Sequence, residues 1–144
     1  MGASLFGPIV GMGIGLATNV GMEGANGMSG LFWPFAPCNM ATGLIIGLMA
    51  RKDGFPRPAY ITVSILLVTI ANAILGSFIA TFMFSGYTGV QIDYIIYALT
   101  ETGMSLGSAT FWGRIPTNLI DKMIAVYAAV GVLYLVKKRE KNRV

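Results

Sequence analysis

The chain has 144 residues, of which 55% are hydrophobic and only 11% are charged, and its mean hydropathy is +0.70. Soluble domains carry about 25% charged residues, so this composition excludes an ordinary soluble domain and predicts an all-α, polytopic helical membrane protein. A single cysteine, Cys38, excludes an internal disulfide and a cysteine metal site, and a chain without histidine offers no serine triad and few metal sites. We therefore expect no enzymatic activity and no cofactor.

The net charge of +4 lies mostly in two short clusters, Arg51–Arg57 and Lys137–Arg143. Basic residues beside hydrophobic segments mark the cytoplasmic side of a membrane. Neither cluster belongs to a fold that would display a nucleic-acid patch, so we expect no nucleic-acid partner. We predict one multi-pass domain over residues 1–144 in the lipid bilayer of the cell membrane, with a cytoplasmic C-terminus.

The first half of the chain contains two predicted spans, Ala3–Val20 and Leu31–Ala50, joined by the glycine-rich loop Gly21–Ser29. Hydrophobic residues begin directly after Met1, so we expect an N-terminal portion of the protein to lie outside this chain. Small residues recur at intervals of four in both spans, a spacing that lets two membrane helices approach closely. They are Gly7, Gly11 and Gly15, the pair Gly13 and Ala17, and the pair Gly43 and Gly47.

The segment Ala59–Phe84 is an uncharged span with Asn72 near its middle. A buried amide there needs a partner, either on a neighbouring helix or on a ligand. The next segment, Gly89–Ser108, contains Asp93 and Glu101, and counting it as a span would place the two basic clusters on opposite sides. We therefore predict an outer-face helix or a re-entrant segment, which gives four to five membrane segments in all.

The last predicted span, Asn118–Val136, covers 19 residues, close to the ~20 that a helix needs to cross a membrane. Pro116 precedes it, a position where its missing N–H costs little. Asn118, Asp121 and Lys122 then fall within the first two turns. Ionisable groups at that depth are expensive and are candidates for function.

These spans place most of the polar residues at one end of the bundle, the outer end, which predicts a binding site for a small molecule there. Arg114 fits either a bidentate contact with a carboxylate or phosphate, or an anchor at the membrane interface. Asp121 and Lys122 fit either ligand contact or a structural pair, Asn72 fits a helix–helix hydrogen bond better than ligand contact, and Trp33 fits ring stacking or an interfacial belt. The candidate site residues are Asn118, Asp121, Lys122, Arg114, Asn72, Asn39 and Trp33.

Three motifs precede the basic tail in a fixed order: LFGPIVG at Leu5–Gly11, GLIIGLMARK at Gly43–Lys52 and PTNLIDKMI at Pro116–Ile124. With these motifs the chain resembles the substrate-binding S component of energy-coupling factor (ECF) vitamin transporters. The resemblance implies a partial six-helix bundle that lacks the N-terminal helix or two. By the motif, Asn118 and Asp121, with Lys122 next to them, would contact the substrate.

The resemblance also implies a function, namely capture of a vitamin or similar micronutrient in an outer-facing pocket. A transmembrane T component and ATPase subunits, supplied by other chains, would drive its release to the cytoplasm. Two alternatives from other classes are a membrane sensor domain and a helical scaffold subunit that binds no ligand. Ligand binding separates the transporter from the scaffold, and capture of a T component separates it from the sensor.

Overall fold

The computed structural model of the chain describes residues 2–53, 55 and 57–141. The helices are α1 (Gly2–Phe6), α2 (Pro8–Ala25), α3 (Ala36–Ala50), α4 (Pro58–Phe84), α5 (Ile92–Glu101) and α6 (Leu106–Lys141), with a 3-10 turn at Trp33–Phe35. No β-strand occurs in the described ranges. The predicted all-α fold is confirmed.

Helices α2 and α3 pack antiparallel through the predicted glycines. A Cβ atom added to Gly11 would lie 2.6 Å from the carbonyl oxygen of Gly43, and Cβ atoms at Gly15 and Gly47 would meet the backbones of Asn39 and Pro8. Only glycine allows so close an approach of two backbones. Gly13, in contrast, has nothing within 4 Å of its Cβ position and faces away from α3.

Helix α4 is the central helix of the bundle, in contact with both α3 and α6. Val68, Ala73 and Ala80 on α4 have no exposed surface. The Asn72 amide nitrogen donates a 3.0 Å hydrogen bond to the Thr42 hydroxyl of α3. Asn72 therefore forms a hydrogen bond between helices, the interpretation that the sequence favoured over ligand contact.

The Asn72 hydrogen bond yields a testable prediction of a small effect. Asn72→Leu keeps the side-chain volume but removes the bond to Thr42, and we expect it to lower the free energy of unfolding by about 0.6 kcal/mol, the average for such bonds between membrane helices. Thr18→Val is the control, because the exposed Thr18 hydroxyl bonds, within the part of the chain that the structure describes, to the Ile14 carbonyl oxygen of its own helix. Unfolding in mixed detergent measures both variants; a loss of several kcal/mol in Asn72→Leu would contradict this assignment.

Three helical segments in the described part of the chain are long and apolar enough to cross a membrane: Trp33–Ala50, Pro58–Phe84 and Leu106–Val132. Helix α2, with 18 residues, lies alongside α3 as a fourth helix. Helix α5 has ten residues, which rise about 15 Å, half of a hydrocarbon core of roughly 30 Å. It is too short to cross, as predicted for Gly89–Ser108.

Helix α6 begins at Leu106, twelve residues before Asn118, where the sequence suggested that the last span starts. That prediction was wrong, because Pro116 lies inside the helix rather than before it. Tertiary packing holds the extra turns: Ala109 and Thr110 are fully buried, and the Thr110 hydroxyl lies 3.2 Å from that of Thr81 on α4. As a result, Asn118, Asp121 and Lys122 lie in the middle of the candidate span.

The antiparallel packing sorts the loops between two ends of the bundle. The α3–α4 loop, with Arg51 and Arg57, lies at the same end as the C-terminal end of α6. The α2–α3, α4–α5 and α5–α6 loops lie at the other end, which we call the loop end.

Candidate functional site

A cavity of about 250 Å³ opens at the loop end, where the α2–α3 and α4–α5 loops meet the beginnings of α3 and α6. Its wall combines a mainly apolar surface with a few polar groups, which is typical of small-molecule sites. The lining residues are Asn19, Met22, Leu31, Phe32, Phe35, Asn39, Thr88, Val90 and Arg114.

Two asparagines connect the helices that form one side of this cavity. Asn19 on α2 is 3% exposed, and its amide nitrogen donates a 2.6 Å hydrogen bond to the carbonyl oxygen of Phe32. The amide nitrogen of Asn39 on α3 donates to the Asn19 side-chain oxygen. This chain of bonds depends on the close glycine packing of α2 and α3, so the helix interface fixes the position of both amides.

The Glu23 carboxylate holds the loop between α2 and α3. Its Oε2 accepts hydrogen bonds from the backbone N–H groups of Phe32 (2.7 Å) and Trp33 (3.1 Å). Its Oε1 accepts from the backbone N–H of Gly30 and the hydroxyl of Ser29 (3.2 Å). The side chain is buried, and its role is to order the loop that carries Leu31 and Phe32 to the cavity.

Among the described residues of the cavity wall, Arg114 is the one with a charged side chain. It is 9% exposed, and its Nε and Nη2 atoms are buried without a hydrogen-bond partner among the described residues. The guanidinium carbon lies 5.4 Å from the centroid of the Phe35 ring, a cation–π distance. Phe35 in turn stacks on Phe84 of α4, with ring centroids 5.8 Å apart.

Arg114 packs against Gly76 on the facing helix α4. A Cβ atom at Gly76 would lie 3.4 Å from Arg114 Cδ and 3.7 Å from Nη1. Gly76 and Phe35 thus lie beside the guanidinium within the bundle. The site can bind a small molecule with an apolar body and a polar or negatively charged end.

Two of the sequence-predicted site residues, Arg114 and Asn39, therefore line the same cavity. Trp33 does not line it; its side chain is 55% exposed, and its backbone N–H donates to Glu23. Asn72 bonds to Thr42, and the Asn118 amide nitrogen donates 2.9 Å to the carbonyl oxygen of Arg114 on the same helix.

Asp121 and Lys122 form a separate group farther along α6 from the loop end. Lys122 Nζ lies 2.6 Å from Asp121 Oδ2, and the Lys122 side chain is 13% exposed whereas that of Asp121 is 64% exposed. Lys122 also lines a second cavity of about 130 Å³, together with Thr42, Val68 and Phe55. Phe55 belongs to the α3–α4 loop, so this cavity extends toward the end opposite the first.

Sequence reasoning did not select the aromatic and aliphatic wall of the loop-end cavity. Phe32, Phe35, Leu31, Met22 and Val90 carry no motif, and in a membrane protein they look like lipid-facing or core residues. Glu23 was the available signal, since a lone acid beside a glycine-rich loop needs donors and thus indicates an ordered loop.

A protein-family model described as "ECF transporter, substrate-specific component" matches residues 1–134 of the chain. No curated protein and no solved structure matches the chain.

Proposed function

Since this chain belongs to the family of substrate-specific components of ECF transporters, and is thus a membrane subunit that binds a small-molecule substrate, we propose that it captures a vitamin or similar micronutrient in the loop-end cavity. The observation that carries the proposal is the convergence there of Asn19, Asn39, Thr88 and Arg114 on one mainly apolar cavity. Substrate capture needs such a combination, because apolar walls supply affinity and a few placed polar groups supply orientation.

The distribution of basic residues supports an outer-facing cavity. Arg51, Lys52 and Arg57 lie in the loop at the opposite end of the bundle, and the positive-inside rule assigns that end, with the C-terminus, to the cytoplasm. The loop end then faces outward, where an uptake system meets its substrate. The T component and the ATPase subunits of the complex would supply the energy for release.

A thermal-shift screen of the purified chain in detergent tests this function. The panel is made of water-soluble vitamins, nucleobases and related micronutrients. A compound that binds the folded state raises the melting temperature by mass action. We expect at least one specific, saturable shift; a well-folded sample that responds to no member of the panel would contradict the proposal.

A pair of matched methionine variants locates the site. Met22 lines the loop-end cavity and Met83 lies on α4 away from its wall; their side chains are 42% and 54% exposed. We expect Met22→Trp to fill the cavity and to weaken binding by at least about ten-fold, whereas Met83→Trp leaves it unchanged. Equal binding by both would place the substrate elsewhere.

The motif-based prediction that Asn118, Asp121 and Lys122 contact the substrate is tested with the same ligand. Lys122→Gln and Asp121→Asn retain the approximate size of each side chain and remove its charge. Binding that falls in these variants and persists in Met22→Trp would assign capture to the second cavity.

A further inference from the structure

We infer that the substrate carries a single carboxylate, which pairs with Arg114, on a largely apolar body. This inference rests on the proposed function and names the chemical class of ligand for the same cavity.

Arg114 carries a buried positive charge that no carboxylate of the described residues balances within 4 Å. A guanidinium stays protonated in proteins, and a buried charge without a partner is strongly destabilising. Arg114 is nine-tenths buried. Among the described residues, the ion pair within 4 Å joins Lys122 to Asp121, and no carboxylate lies within that distance of the Arg114 guanidinium. The Phe35 ring offers one face of electron density but no hydrogen-bond acceptor. An anion is therefore the missing partner.

The acids of the α2–α3 and α4–α5 segments, Glu23 and Asp93, already accept hydrogen bonds from their own loops. Both oxygens of Glu23 accept hydrogen bonds from the α2–α3 loop. Both oxygens of Asp93 accept within the α4–α5 loop, from the Gly89 N–H at 2.6 Å and from the Thr88 hydroxyl at 3.3 Å. Turning Glu23 toward Arg114 would release three backbone N–H groups, and turning Asp93 would release the Gly89 N–H and the Thr88 hydroxyl, so the anion comes from outside the chain.

The free edge of the Arg114 guanidinium has the shape that binds a carboxylate. Nε–H and Nη2–H point from the same edge of a guanidinium, and this edge forms two parallel hydrogen bonds with a carboxylate. These are the two Arg114 atoms that lack partners. Arg114 lines the cavity, but these two atoms are buried, so binding a carboxylate there requires the Arg114 side chain to rotate until this edge faces the cavity.

The other residues that line the cavity indicate the net charge and the apolar part of the ligand. Arg114 is the one cation among the lining residues, which matches one negative charge better than the two of a phosphate ester. Met22, Leu31, Phe32 and Val90 supply apolar surface for the remainder of the molecule. The substrate is thus a compact, amphiphilic monocarboxylate.

Matched acid and neutral compounds test the inference: nicotinate with nicotinamide, biotin with biotinamide, and pantothenate with pantothenol. Pyridoxal phosphate, riboflavin and thiamine extend the set to a phosphate ester, a neutral and a cationic compound. We expect one acid to bind at least about ten-fold more tightly than its neutral partner, by calorimetry in detergent. Arg114→Met should abolish this preference, and Arg57→Met, which changes an exposed arginine at the opposite end, should retain it.

The unliganded variants provide a readout that a structural role for Arg114 would not give. Removing an unpaired buried charge should leave the melting temperature of the unliganded protein unchanged or higher in Arg114→Met. A marked fall would overturn the inference and make Arg114 a structural residue. Arg114→Lys keeps the charge but not the two-pronged edge, and we expect intermediate affinity.

The outcomes also separate this inference from the proposed function. One contrary outcome is that riboflavin, thiamine or a neutral partner binds tightly and binds equally well to Arg114→Met. That result would overturn the inference of a carboxylate and leave the proposed transport function intact. Preferred binding of pyridoxal phosphate would replace the carboxylate by a phosphate. Failure of every compound to bind a folded sample would overturn both.

Discussion

Gly11→Leu will separate helices α2 and α3 and unfold much of the bundle. A Cβ atom at Gly11 would lie 2.6 Å from the carbonyl oxygen of Gly43 and 2.5 Å from Ala3 Cβ. Overpacking a core costs about 1–3 kcal/mol when side chains can move aside. Here one obstacle is the backbone of Gly43, which cannot change rotamer. We therefore expect the free energy of unfolding to fall by the upper end of that range or more. The melting temperature in detergent and the size-exclusion profile measure this loss of stability.

The control lies two residues away on the same helix. Gly13 has nothing within 4 Å of its Cβ position, so Gly13→Leu meets no obstacle and removes a residue that disfavours helix by ~1 kcal/mol. We expect it to be neutral or slightly stabilising. Equal destabilisation by both variants would show that α2 and α3 do not pack through the glycine face.

The loss in Gly11→Leu should extend to substrate binding. Asn19 on α2 and Asn39 on α3 share a hydrogen bond beside the cavity, and that bond requires the two helices at glycine spacing. Folded protein recovered at low temperature should therefore bind substrate more weakly than Gly13→Leu does.

Glu23→Gln should release the loop between α2 and α3. The carboxylate accepts hydrogen bonds from three backbone N–H groups and one hydroxyl, whereas the amide that replaces it has only one acceptor oxygen and turns its NH2 toward other donors. We expect the amide hydrogens of Gly30, Phe32 and Trp33 to exchange at least about ten-fold faster, and the melting temperature to fall by several degrees. Hydrogen exchange read by mass spectrometry measures the effect on each segment.

Glu101→Gln is the matched control for this loop. Glu101 is an exposed acid in the last turn of α5, and no hydrogen bond of its carboxylate orders a loop in the described structure. Its exchange pattern and stability should equal those of the unmodified chain. Unchanged exchange at Gly30–Trp33 in Glu23→Gln would show that the loop is held by packing rather than by this carboxylate.

Glu23→Gln should also weaken substrate binding, since Leu31 and Phe32 reach the cavity from the loop that Glu23 holds. The loss arises from added disorder rather than from a lost contact. A ligand at saturating concentration should therefore slow loop exchange back toward the original rate, which would not occur for a variant that has lost its contact residue.

The sequence selected some residues of the loop-end cavity and overlooked others, in each case for an identifiable reason. Arg114 and Asn39 were selected because polar side chains near a membrane are expensive wherever they lie, so their presence is informative without coordinates. Phe32, Phe35 and Val90 were missed because hydrophobic residues are ordinary in a membrane helix protein. Whether such a residue faces lipid, core or cavity depends on contacts between segments distant in sequence.

The sequence by itself determined the all-α membrane class and the close-contact glycines of α2 and α3, because hydropathy and residue spacing are local properties. Only the tertiary structure decided where α6 begins and which polar groups share a cavity. Packing of Ala109 and Thr110 against neighbouring helices extends α6 past Pro116 and moves Asp121 and Lys122 into its middle. The same packing leaves Arg114 buried beside Phe35 and Gly76, where its unpartnered edge defines the candidate site.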